Sequence, residues 1–251
     1  MMVHELELKL EAEKVIHHRF GYVEVYLKLN GEKSKYKLIL RDGKLVAIVK
    51  RGYKLIPHEL IDEVLRGLIS LKVVKRWEEA GRCFWICSVN DRQDVEIWIE
   101  NSVDRTLSLG VRLVLVFDGL KVPIVLPKRR TAMSLRKVHK KSASIHDLPK
   151  LIDSMLEDAD RIKWFMNTAF EKKAVEYLSV WELLKEEIPE KYTRSILAKL
   201  QAKVDDLTVG HVYKELAQKI LSSPKTSTLT KMQFLKSLNE VLWIIAEVES
   251  T

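Results

Sequence analysis

Between Lys128 and Lys141 the chain reads KRRTAMSLRKVHKK, and half of these fourteen residues are Lys or Arg. Like charges this close repel one another, and an anionic partner removes that cost. A phosphate backbone is such a partner, because each neutralised phosphate releases condensed counterions. Arginine adds a planar fork that matches phosphate oxygens, and His139 joins the set when protonated. The expected nucleic-acid contacts are therefore Lys128, Arg129, Arg130, Arg136, Lys137, His139, Lys140 and Lys141. The competing reading is a solvated surface or one paired with acids elsewhere in the fold. Membrane binding would call for Trp or Phe interleaved on an amphipathic face, and no aromatic lies in this stretch. For the same reason any base-stacking platform must come from another part of the chain.

A second chemistry uses carboxylates. Glu96, Glu100, Asp104 and Asp118 lie on or near strand-like segments, and alternation puts Glu96 and Glu100 on one face with Trp98. Such a cluster could hold a metal for phosphodiester cleavage, although solvent-facing strand residues look the same. The seven histidines include His17-His18 but no HExxH or His-x-His pattern. GxxxxGK[ST], GxGxxG and GxSxG are all missing, so nucleotide hydrolysis and serine-hydrolase chemistry have no motif. No cofactor, metal or catalytic residue is assigned, and the enzyme reading is secondary. Cys83 and Cys87, in GRCFWICSV, read as two small buried hydrophobes on one face of a strand with Trp85. About 13 Å apart along a strand, they cannot form a disulfide.

The formal net charge of the 251 residues is +8. The stretch from Lys121 to Lys141 has eight basic and no acidic residues, so it accounts for the whole excess. This excludes a uniformly basic coat and points to a local electrostatic feature on a near-neutral body. A hydrophobic fraction of 47% excludes intrinsic disorder. No apolar run is long enough for a transmembrane helix, and the acidic opening MMVHELELKLEAEK is unlike a secretory signal. A cytoplasmic protein is expected, with no membrane partner. Five Asn and four Gln against abundant Lys, Glu, Leu and Ile match a hyperthermophile bias.

The elements that must position these residues follow from turn signals and periodicity. YVEVYLKL, Asn30-Gly31 and KYKLIL read as a hairpin, and Asp42-Gly43 leads into a third strand at Lys44-LVAIVK. Pro57 opens a helix near 57–70. Strands follow at about Lys72–Glu78, Arg82–Val89, Val95–Glu100 and Val111–Phe117. Asp118-Gly119 returns the chain through LKVPIVL, where Pro123 demands a sheet edge. The N-terminal part thus reads as one sheet of seven or eight strands with one inserted helix. From Leu148 a helix of about 30 residues is expected through Val175, then helical periods over Val180–Glu187, Thr193–Val204, Thr208–Leu221 and Thr230–Val248. Trp164, Phe165, Phe170, Trp181 and Trp243 fall on those periods as core residues. Strands first and helices second make an α+β protein: an antiparallel sheet domain over 1–145 and a helical region over 146–251.

RDGKLVAIVKRGYKLIPHELIDEVLRGL resembles a run in the phage/plasmid-like protein family built around domain of unknown function 932. Gly43, Leu45–Val49, Arg51, Tyr53-Lys54 and Pro57 occupy its pattern. Asn101-Ser102-Val103-Asp104-Arg105-Thr106 is similar to the family's Asn-Ser-His-Asp-Gly-Ser/Thr, with Val103 and Arg105 replacing His and Gly. Arg112 matches an arginine opening an apolar strand. Ser134–His139 resembles a basic strand ending in His, and Leu207-Thr208-Val209 with Val212-Tyr213 resembles a late helix start. The resemblance spans roughly residues 40–245 and implies a diverged member from an archaeal virus or plasmid. It implies a mobile-element setting in which DNA replication, recombination or packaging is the task. The combined expectation is a non-enzymatic DNA-binding protein with weak sequence preference. The alternatives are a metal-dependent phosphodiester-cleaving enzyme and a virion or partner-binding protein without nucleic-acid contact. A homo-oligomer stays open.

Overall fold

The computed structural model describes residues 9–79, 81–103, 109–124, 136–137, 145–203 and 206–247. It is an α+β protein with two antiparallel sheets in the N-terminal half and seven helices, six of them in the C-terminal half. The first sheet runs β1 (Leu10–His17), β2 (Tyr22–Leu29), β3 (Glu32–Arg41) and β4 (Lys44–Lys50), in that order across the sheet. Its tight turns have both central residues at positive φ: Asn30 51° with Gly31 79°, and Asp42 49° with Gly43 77°. That geometry matches the twist of the flanking strands, which is why Asn-Gly and Asp-Gly encode it.

After β4 come α1 (His58–Arg66) and a second sheet. Its strands are β5 (Leu71–Glu79), β6 (Arg82–Val89), β7 (Arg92–Ser102), β8 (Leu109–Phe117), β9 (Leu120–Pro123) and β10 (Arg136–Lys137). The order is β10-β8-β7-β6-β5, with β9 also paired to β8. The single sheet expected from sequence is therefore two, because the irregular segment after Lys50 and helix α1 interrupt the strand pairing. Pro123 lies on β9, which pairs only with β8 among the described strands, so its missing N–H costs no ladder bond.

The chain divides into two compact units. The first takes in Met1–Cys87, Trp98–Val111 and Arg136–Pro149; the second, Ser88–Ile97, Arg112–Leu135 and Lys150–Thr251. In the first unit, Tyr22, Ile39, Ala47, Val49, Tyr53, Leu55 and Val103 form a buried cluster. The inner face of its four-stranded sheet also buries charge. Lys37, 2% exposed, donates to Glu24 Oε2 at 2.6 Å, Tyr53 O at 2.8 Å and the Tyr26 hydroxyl at 3.2 Å. Three acceptors for three ammonium protons make the burial tolerable.

The outer face of that sheet is aliphatic. The register places Val15, Val25, Leu38 and Ile48 side by side in one row across all four strands. The next row is His17, Val23, Leu40 and Leu45. Ile48 and Leu45 are 60% and 57% exposed, and Val15, Leu10, Leu29 and Tyr36 are exposed as well. On β6, Cys83, Trp85 and Cys87 are buried on one face, as alternation requires, and neither cysteine forms a disulfide. Burial pushes the Cys83 thiol up to about 12.

The second unit is mostly helical: most of α2 (Leu148–Phe170), then α3 (Leu178–Glu182), α4 (Leu184–Glu187), α5 (Glu190–Gln201), α6 (Val209–Ser222) and α7 (Thr228–Glu247). Ile152, Met155, Ala159, Ile162 and Met166 make the buried stripe of α2. α2 stops at Phe170 rather than running to Val175. Backbone bonds from Ala174 N to Leu207 O and from Val209 N to Lys172 O draw the chain off into an extended connection. Trp181 and Phe170 are core residues as expected, and Phe165 stacks on Trp243 at 3.8 Å. Trp164 is not a core residue; it is 68% exposed, two residues from both Ile162 and Met166 and so on the opposite face of the helix from the buried stripe.

Candidate nucleic-acid interface

The basic segment is held at its described ends by β8. Ile124, just past β9, donates its N–H to Leu113 O at 2.8 Å. Arg136 and Lys137 form β10, paired with Gly110 and Leu109. The remaining predicted contacts, Lys128, Arg129, Arg130, His139, Lys140 and Lys141, lie outside the described residues. So does most of the Ser134–His139 strand expected from sequence. Lys121, on β9, forms an ion pair with Glu96 at 2.7 Å.

Sequence reasoning left the stacking platform unplaced, and the β5–β6 hairpin supplies a candidate. β5 is the terminal strand of its sheet, and Lys72 to Glu79 are all exposed along it. Alternation puts Val73, Lys75 and Trp77 on one face. The Trp77 indole is 37% exposed and lies flat on Phe84 of β6, with centroids 5.0 Å apart and planes 15° from parallel. Lys75 Nζ sits 5.2 Å from the Trp77 ring. A cation over an aromatic face, on an open strand edge, offers a base a surface to stack on and its phosphate a counter-charge. A two-residue connection between Glu79 and Arg82 sets Trp77 opposite Phe84, so this pair was readable from the hairpin arithmetic.

The other face of β5 is tied to α1, which fixes the strand. Arg76 Nε lies 3.1 Å from both carboxylate oxygens of Asp62, and Trp85 Nε1 donates to Asp62 Oδ1 at 2.6 Å. Glu78 approaches Arg76 at 3.6 Å, Arg41 at 3.7 Å and His58 Nε2 at 3.7 Å. Arg41 also pairs with Glu59, and Arg19 with Glu63. His58 is fully buried, and Asn101 Nδ2 lies 3.1 Å from its Nδ1 and donates to Ile56 O at 2.9 Å. Burial pushes the His58 pKa down, so the ring is neutral. Burial, helped by the Glu59 charge, pushes Tyr22 up to about 12. Arg19, Arg41 and Arg76 are thus committed to internal pairs, while Lys75 faces outward over Trp77.

The carboxylates considered for metal binding are otherwise engaged. Glu96 pairs with Lys121, and Asp118 with Lys214 at 2.5 Å. The Lys214 ammonium holds the Asp118 carboxyl below its usual range. Glu100 is buried against Gly110, where a Cβ would come 2.8 Å from Glu100 Oε1. Asp104 lies outside the described residues. Among the described residues no group of three or more His, Cys, Asp or Glu side chains converges as a metal site. No described helix is long and apolar enough to cross a membrane. No protein-family model, curated protein or solved structure matches the chain.

Proposed function

We propose that the protein binds nucleic acid without catalysing a reaction on it. In this reading Lys128–Lys141 neutralises backbone phosphates, and the Trp77–Phe84 stack receives an unpaired base. The observation that carries it is the exposed Trp77 ring lying under Lys75 on an open strand edge. It supplies the aromatic surface that the basic segment itself lacks. The sequence carries no motif for reading base edges, so weak sequence preference is expected. The motif resemblance favours DNA of a mobile genetic element as the partner.

Fluorescence anisotropy with labelled single- and double-stranded oligonucleotides tests the reading. Trp77→Ala should lower single-strand affinity by about five- to a hundredfold, the range of one lost base–aromatic stack, while duplex affinity changes little. Circular dichroism should be unchanged, because the indole is partly exposed and its neighbour Phe84 remains. Single-strand binding as tight in Trp77→Ala as in the parent would sink the stacking role.

A further inference from the structure

We propose that the outer face of the four-stranded sheet is a dimer interface that takes a second copy of this chain. This face uses none of the residues of the basic segment or of the Trp77 platform. The register gives it two complete cross-strand rows, one of them wholly aliphatic: Val15, Val25, Leu38 and Ile48. β2 alternates Tyr22, Glu24 and Tyr26 inward against Val23 and Val25 outward. The strands bury the Lys37–Glu24 pair inside and turn β-branched residues outside. Because one residue of register slip would exchange the two faces, this orientation is a specified property of the sheet. Exposed apolar residues occur singly on most proteins; six in one sheet face, across all four strands, form a patch of the kind that marks an interaction site.

Area and chemistry select the occupant. Four strands at the usual spacing, over the length from Leu45 to Leu29, cover on the order of 500 Å². Two such faces together remove about 1,000 Å², the area a biological interface should clear. The two rows contain no charge apart from His17 at one end, and Lys50 opposite Tyr36 and Glu32 opposite Leu29 lie beyond them at the other end of the face, so its middle offers a charged surface no counterpart. A flat aliphatic sheet face is complementary to another like it, and packs on it as a sandwich with strands about 30° apart. A two-fold dimer supplies that second face from the same sequence.

Sedimentation equilibrium of the full chain, free of nucleic acid, decides the matter. The parent protein should be a dimer at micromolar concentration and remain so in molar salt, since apolar contacts are not screened. The double variant Leu45→Lys, Ile48→Lys should raise the dimer dissociation constant at least tenfold. Both positions are more than half exposed, so the circular dichroism spectrum should match the parent. Trp164→Lys, at another exposed apolar residue, should dimerise like the parent. A monomeric parent overturns the proposal, and so does a double variant that associates as tightly as the parent. Dissociation caused by Trp164→Lys overturns it too, by placing the contact elsewhere. None of these outcomes bears on nucleic-acid affinity, which is measured separately.

Discussion

At the scale of single residues, the first compact unit buries Lys37 of β3 and His58 of α1 by different means. Lys37 meets three acceptors, whereas burial drives His58 toward its neutral form. The His58 pKa lies below its ordinary 6.5 in the folded chain, so the unfolded state binds the proton first. Its contribution to stability is present above that ordinary value and is lost as pH falls below it. Urea midpoints should therefore drop as pH is lowered from about 7.5 to about 5.5, and His58→Gln should flatten that slope. Neither role was legible beforehand. Lys37 lies in an alternating run whose polar members normally face water, and His58 follows a proline that only marks a helix start. By contrast Cys83, Trp85 and Cys87 were legible, because a strand with a continuous buried face leaves one solution. Trp164 misled because its residue type outweighed its spacing: two residues from Ile162 and Met166, it lies opposite their stripe.

At the scale of elements, legibility followed turn chemistry. Asn30-Gly31, Asp42-Gly43 and Asp118-Gly119 each impose a positive-φ pair, and the strands beside them fell where expected. β1 was missed because it joins β2 through a turn at Arg19–Gly21 in which Phe20, with φ 63°, carries no sequence signal for that conformation. The end of α2 was overshot because its stop is tertiary. Thr208 caps α6 by accepting from His211 N, and Gly210 in the first turn comes up against Phe170. A Cβ on Gly210 would sit 2.9 Å from Phe170 Cβ. Phe170 cannot retreat, since its ring already touches Phe117 at 5.1 Å and Tyr213 at 5.2 Å. Gly210→Ala should therefore destabilise by about 1–3 kcal/mol despite alanine's better helix propensity, read as a lower thermal midpoint. A midpoint equal to or above the parent's would show that the α2–α6 contact relaxes at no cost.

At the scale of the whole molecule, the charge excess and the aliphatic rows fall on different residues of the chain. The +8 excess belongs to Lys121–Lys141, and the exposed aliphatic rows belong to β1–β4. If about five phosphates are neutralised, log affinity for single strands should fall against log salt with a slope of about −3.5. Replacing Arg129, Arg130, Lys140 and Lys141 by Ala should weaken binding to all sequences alike and flatten that slope by about 2 to 3. An unchanged slope would assign the phosphate contacts to other residues. The charge excess was plain in the sequence; the Trp77–Phe84 stack follows from the short connection between Glu79 and Arg82 but has no periodic signal of its own. The two thiols of β6 have a practical outcome of their own. Both are sealed in the sheet, and the Cys83 proton is held to about 12, so the thiolate that alkylating reagents need is scarce at neutral pH. A cysteine placed at an exposed position then takes a maleimide label selectively, and the wild-type background serves for spectroscopy without removing either native cysteine.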